Sequence, residues 1–208
     1  MTTPHEAGRL IVCSGAKGGQ GTTTIATALA LTLARQKMTV LVDTARDALP
    51  ILGHPPATAH RTPAEAVTRR VTVLDGLDIA TTNSTAAVVA GSIALGELRE
   101  RGWHVVIDAG TDNVEVPDAE RLLVVRNCYL ALRRAVAARR ADHVLLVTEP
   151  GRSLGLRDVA DVLGVVPITV VPWDPAVARA IDAGLLAARL PRCLANAIEQ
   201  LARPAVAS

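Results

Sequence analysis

The stretch Ser14-Gly15-Ala16-Lys17-Gly18-Gly19-Gln20-Gly21-Thr22-Thr23-Thr24 decides how the rest of the chain is read. A short apolar run at residues 10–13 precedes it, and Ile25, Ala26, Leu29, Ala30 and Leu33 follow at helical spacing. The stretch is therefore a glycine-rich turn between a strand and a helix. Glycines let successive backbone N–H groups turn inward on an anion, and the start of a helix adds a favourable dipole. A hydroxyl just inside such a helix is placed to ligate Mg²⁺. A turn without a ligand is the plainer alternative. Three glycines in four positions followed by three threonines exceed what a turn needs.

Strand-like and helix-like segments alternate outward from this point. Residues 39–42 form a second apolar strand ending at Asp43, and residues 44–61, with Pro50, Pro55 and Pro56, read as a long loop. Thr62, Pro63 and Glu65 mark a helix start: Thr as N-cap, Pro at the first position, Glu three residues on. Further strands are expected at 77–80, at 103–107 running into Asp108, at 122–125, at 144–147 and at 165–171. Helices are expected at 84–100, at roughly 128–140 and near 153–163, and the end is helical with a break at Pro191. Short all-apolar strands alternating with helices predict an α/β fold, a mostly parallel central sheet with helices on both faces. Residues 1–8 read as a flexible tail and 9–208 as one domain.

The composition narrows the functional classes. Of 208 residues, 50% are apolar, yet there is no Phe, one Tyr (Tyr129) and two Trp (Trp103, Trp173), so the core is aliphatic. This argues against stacking recognition of single-stranded nucleic acid, which uses aromatic platforms. The net charge is only +2, and all but Lys17 and Lys37 of the 22 basic residues are Arg. Cys13, Cys128 and Cys193 form no CxxC pair, which points to reduced thiols and a cytoplasmic chain. The N-terminal MTTPHEAGRL lacks the apolar core of a signal peptide, and no stretch has the length of a membrane span.

The loop resembles the deviant Walker A motif of the ParA/MinD superfamily of P-loop ATPases, usually written KGGxGK[ST]. Lys17 falls on the signature lysine and Thr23 on the Mg²⁺-binding hydroxyl. The strand ending at Asp43 resembles the one leading to that family's first switch, and His104 to Asp108 resembles its Walker B strand. Pro172, Trp173 and Asp174 resemble the late loop that borders the adenine. The resemblance covers roughly residues 9–190. It implies a P-loop NTPase-like fold that binds ATP or ADP with Mg²⁺. Gly18, Gly19, Gln20, Gly21, Thr22, Thr23 and Thr24 would hold the nucleotide, Thr23 and Asp108 the metal, and Lys17, Asp43 and Asp108 would be the catalytic set. It also implies a homodimer closing over nucleotide and a partner protein that stimulates or reads the switch. The role would be DNA segregation or subcellular positioning.

Two departures bear on turnover. Thr22 stands where the usual phosphate-loop lysine would reach the β- and γ-phosphates. Removing one charge-assisted interaction weakens binding by ~10- to 150-fold unless another group, such as Arg46, replaces it. Second, where relatives carry Asp-x-Asp, this chain has Asp43-Thr44-Ala45, with Asp47 the next carboxylate. The expected protein is a nucleotide-binding switch with weak or absent ATP hydrolysis; the alternative is a non-hydrolysing scaffold that docks a protein partner. For Lys17 a solvated loop lysine is the bland alternative.

Other candidates are weaker. Arg133, Arg134 and Arg140 lie on one helix and would pair with DNA phosphates without sequence preference; a solvated helix face is the alternative. The tail from Pro191 lacks the bulky apolar face of a membrane-binding helix. The five histidines show no metal spacing. Trp173 either stacks near a base or fills the edge of the sheet.

Overall fold

The computed structural model describes residues 7–58, 63–82, 84–137, 141–164 and 168–203. The strands are β1 (Leu10–Gly15), β2 (Thr39–Asp43), β3 (Val71–Leu74), β4 (Leu77–Thr81), β5 (His104–Asp108), β6 (Glu120–Arg126), β7 (His143–Thr148) and β8 (Ile168–Pro172). They form one sheet in the order β3-β4-β2-β5-β1-β6-β7-β8. Every pairing is parallel except β3 with β4. The helices are α1 (Thr22–Leu33), α2 (Ala48–Ile51), α3 (Pro63–Thr68), α4 (Thr85–Ala90), α5 (Ser92–Glu100), α6 (Tyr129–Ala137), α7 (Leu156–Leu163), α8 (Pro175–Asp182) and α9 (Arg192–Ala202).

The strand pleat divides the core into two layers. Ile11, Cys13, Leu41, Val106, Val124 and Leu145 point to one face, where they pack with residues of α1, α2, α8 and α9. Leu10, Val12, Val40, Val105 and Ile107 point to the other, where Ala66 of α3, Val88 of α4 and Leu95 and Leu98 of α5 cover them. Leu123, Val125 and Val144 extend that face under α6, and Leu146 meets Leu132 of α6 and Val159 of α7. Both faces are covered, so β2, β4 and β5 are buried at every position, and residues 40–42 and 105–107 read as unbroken apolar runs. α1 is buried nearly all round, its threonines included, because it lies between the sheet and α9.

The expected α/β architecture is therefore observed, with local differences. The expected long loop at 44–61 contains a helical turn, α2. Asp43 organises it: its Oδ1 accepts the Arg46 amide at 2.7 Å and its Oδ2 the Ala48 amide at 3.0 Å. Pro50 fits there because amides in a helix's first turn have no helical partner. The helix expected at 84–100 is two helices, broken at Gly91. β3 was not expected; Asp75-Gly76 closes a hairpin onto β4, with Gly76 at φ +82°. Pro63 opens α3 as expected, while its expected cap Thr62 lies outside the described residues, as do residues 165–167 ahead of β8. Among the described residues no helix is long and apolar enough to cross a membrane.

Candidate functional site

β1, β2, β5, β6 and β8 end at the same edge of the sheet, the edge where ligands bind in open parallel α/β folds. The glycine loop leaves β1 there. Gly19 (φ +74°) and Gly21 (φ +91°) adopt the left-handed conformation, and a Cβ on Gly18, Gly19 or Gly21 would meet nothing within 4 Å. The loop is thus open on its outer side. Gly21 occupies the N-cap of α1 and supplies no side-chain cap. The first helical bond runs from the Ile25 amide to the Gly21 carbonyl, at 3.0 Å. The amides of Thr22, Thr23 and Thr24 therefore remain for another acceptor, the condition for an anion site at a helix N-terminus.

Asp108 lies at the end of β5, fully buried. Its Oδ1 accepts the Gly110 amide at 3.0 Å. Its Oδ2 is buried with no hydrogen bond of proper geometry. Burial pushes this carboxyl up to about 6; the Thr23 hydroxyl and the Gly110 amide oppose that, and the charges of Asp43 and Asp47 add to it. A buried carboxylate oxygen without a donor, beside a hydroxyl, suits a hard cation. Thr23 and Asp108 therefore fit Mg²⁺. No group of three or more His, Cys, Asp or Glu around a common point occurs among the described residues. Mg²⁺ carried by phosphates needs no such group, since one or two protein oxygens suffice.

Asp43 is the register partner of Asp108 on the neighbouring strand, and it is buried. Burial raises its pKa, although both oxygens accept backbone amides. That carboxylate holds the chain after β2 in place. Arg46 in that segment has φ +69°, uncommon for a residue with a Cβ, and its amide is held by Asp43. Thr44 donates its hydroxyl to the Asp108 carbonyl at 2.6 Å and joins the two strand ends.

Lys17 is half-buried, and its ammonium donates to the Gly18 carbonyl at 3.1 Å. Thr22 is turned inward, with its hydroxyl against Gly15. Gln20 is buried, and its Oε1 accepts the amide of Arg126 at 2.8 Å, so its side chain ties the loop to the end of β6. Beside the loop is a cleft of about 130 Å³ lined by Gly21, Thr24, Arg126, Pro172, Trp173 and Asp174 among others. Pro172 and Asp174 thus lie beside the glycine loop, 148 and 150 positions from Thr24 in sequence. Asp174 caps α8 through the Ala176 amide at 2.7 Å and also accepts the Cys193 thiol at 3.6 Å.

Arg126 was not among the residues expected from the sequence. It is paired with Glu149 at 2.7 Å, and its Nε is buried without a partner on the wall of the cleft. The available signal was a charged residue immediately after the apolar run at residues 122–125. Arg133 and Arg134 are exposed on α6, and Arg140 lies outside the described residues. Tyr129, Leu130 and Val136 on the same helix are exposed too, so its outer face is apolar as well as basic.

The chain has the fold of ParA and MinD. A ParA family ATPase from Chlorobium tepidum superposes with a TM-score of 0.73 at 18% identity, covering 95% of this chain and 98% of that one. The MinD cell division protein of Aquifex aeolicus gives 0.73 at 18% identity over 96% and 99%. The ATP complex of a Cyanothece McdA variant gives 0.70 at 15% identity over 98% and 99%. No family model and no curated protein sequence matches the chain.

Proposed function

We propose that the chain is a nucleotide-binding switch similar to ParA and MinD, acting as a homodimer with weak or no ATP hydrolysis. The observation that carries this reading is the unpartnered, buried Oδ2 of Asp108 beside Thr23, at the mouth of an open glycine loop on an uncapped helix. The amides of Thr22, Thr23 and Thr24 bind phosphate oxygens. Thr23 and Asp108 hold Mg²⁺, which when bound neutralises phosphate charge. The base enters the cleft bordered by Pro172 and Asp174, with Arg126 on its wall. A McdA relative of the same fold has been solved with ATP, which supports the choice of nucleotide.

Low turnover follows from the residues. Thr22 brings no ammonium to the β- and γ-phosphates, position 45 is Ala, and both oxygens of Asp43 are engaged by backbone. The same features favour a second reading, a non-hydrolysing scaffold whose nucleotide site serves only to shape a surface for a protein partner. The biological role in either case is DNA segregation or positioning of a cargo, in the cytoplasm.

The deciding experiment is a calorimetric titration of the purified chain with ATP and Mg²⁺. Saturable binding between micromolar and sub-millimolar concentration is expected. No saturation up to several millimolar would overturn the nucleotide site. Brisk ATPase activity that Lys17→Ala abolishes would overturn the low-turnover part alone.

A further inference from the structure

The lysine at the end of an ordinary phosphate loop reaches the β- and γ-phosphates and so rewards the third phosphate. Thr22 holds that position here. It is only 7% exposed, and its hydroxyl packs on Gly15, so it cannot extend along a phosphate chain. The other lysine of the loop, Lys17, is half-buried with its ammonium on the Gly18 carbonyl. Arg46 holds Asp43 through its backbone amide, and its guanidinium pairs with neither Asp43 nor Asp108. Those two carboxylates face each other on adjacent strands with no cation paired to either among the described residues. The edge of the sheet thus offers a phosphate chain backbone amides and a hydroxyl–carboxylate pair for Mg²⁺. Among the described residues, Thr22 brings it no cation, Lys17 is turned to the Gly18 carbonyl and Arg126 is paired with Glu149.

We infer that this site does not distinguish a nucleoside triphosphate from a nucleoside diphosphate, and that Thr22 is the residue responsible. The inference rests on the nucleotide site proposed above. The isolated chain holds Mg·ADP and Mg·ATP with affinities within about threefold of each other. An ordinary lysine contact would contribute about 10- to 150-fold. What the chain registers is an occupied site, and the number of phosphates is read only if a partner adds the missing cation.

The test is calorimetry on the full chain with Mg·ADP, Mg·ATP and a non-hydrolysable triphosphate analogue, repeated on Thr22→Lys and Arg46→Ala. The wild-type chain should bind all three within about threefold, and Arg46→Ala should leave that ratio unchanged. Thr22→Lys should shift it at least fivefold toward triphosphate. Wild-type binding at least tenfold tighter for both triphosphates overturns the inference and leaves the nucleotide site standing. Disappearance of such a preference in Arg46→Ala would identify the overlooked cation. Failure of the wild-type chain to bind any of the three overturns the nucleotide site and the inference with it. The wild-type ratio decides the matter even if Thr22→Lys does not fold.

Discussion

Asp108 combines burial, a missing hydrogen-bond partner on Oδ2 and two neighbouring carboxylates, and each of these disfavours its charge. Its carboxyl is pushed up to about 6, from 3.8 in an unstructured chain. Between these values the folded state binds more protons than the unfolded state, so stability falls as pH rises. The reduction for the metal-free protein is on the order of 2–3 kcal/mol, complete above about pH 6. Asp43, raised by burial, acts in the same direction. Asp108→Asn should therefore be more stable than wild type in urea denaturation at pH 7.5 with a chelator present, and the two should converge near pH 4. A variant less stable at pH 7.5 would show that the orphaned oxygen has a partner in solution. Mg·ATP should raise the wild-type melting temperature and leave that of Asp108→Asn nearly unchanged, since a ligand stabilises the state that binds it.

At the scale of elements, the phosphate loop is held from below. Gln20 crosses from the loop to the amide of Arg126, a hydrogen bond between residues 106 apart in sequence. Gln20→Ala leaves that amide without its acceptor and should cost about 1–3 kcal/mol in chemical denaturation. A cost below a few tenths would mean that water takes over the bond. The end of α2 meets the end of α8 through two glycines. Gly53 has φ +84°, and a Cβ on it would lie 2.6 Å from the Gly184 carbonyl oxygen; Gly184 has φ +65° and packs as closely in return. Gly53→Ala combines backbone strain with a collision and should destabilise by about 1–3 kcal/mol. Gly96 is the control: it lies within α5, and its Cβ would meet nothing within 4 Å. Gly96→Ala should stabilise by about 0.5–1 kcal/mol. If both substitutions destabilise alike, the close approach of α2 and α8 is not what limits Gly53.

At the scale of the molecule, the small net charge hides an uneven surface. Arg133 and Arg134 stand exposed on α6, which begins just after the carboxyl end of β6 and therefore near the nucleotide edge. If the protein binds DNA there, Arg133→Ala with Arg134→Ala should weaken binding equally for all sequences. The slope of log K against log salt should flatten by about 2, one for each phosphate that is no longer neutralised. An unchanged slope would assign α6 to solvent or, given exposed Tyr129, Leu130 and Val136, to a protein partner.

The sheet, its parallel character and the glycine loop between β1 and α1 were legible because they depend on local signals. Buried strands read as apolar runs, the glycines and threonines of the loop are contiguous, and Asp43 and Asp108 end their strands. Val71, Val73 and Leu74 ahead of Asp75-Gly76 are equally local signals for the β3–β4 hairpin, but β3 is only four residues long and lies largely exposed at the edge of the sheet. What required the three-dimensional structure were the side-chain pairings, some between near residues and some between residues far apart in sequence. Asp43 carries its carboxylate into the amides of Arg46 and Ala48, which converts an expected loop into α2. Gln20 turns inward to Arg126, Thr22 turns inward to Gly15, and Arg126 comes to the wall of the cleft. Residue types set which groups are available to a phosphate or a metal. Only the folded chain, through its local turns and through strands adjacent in space and remote in sequence, set which of those groups were already engaged by backbone and which were left free, because an amide or a carboxylate bonds to whatever the fold brings within about 3 Å.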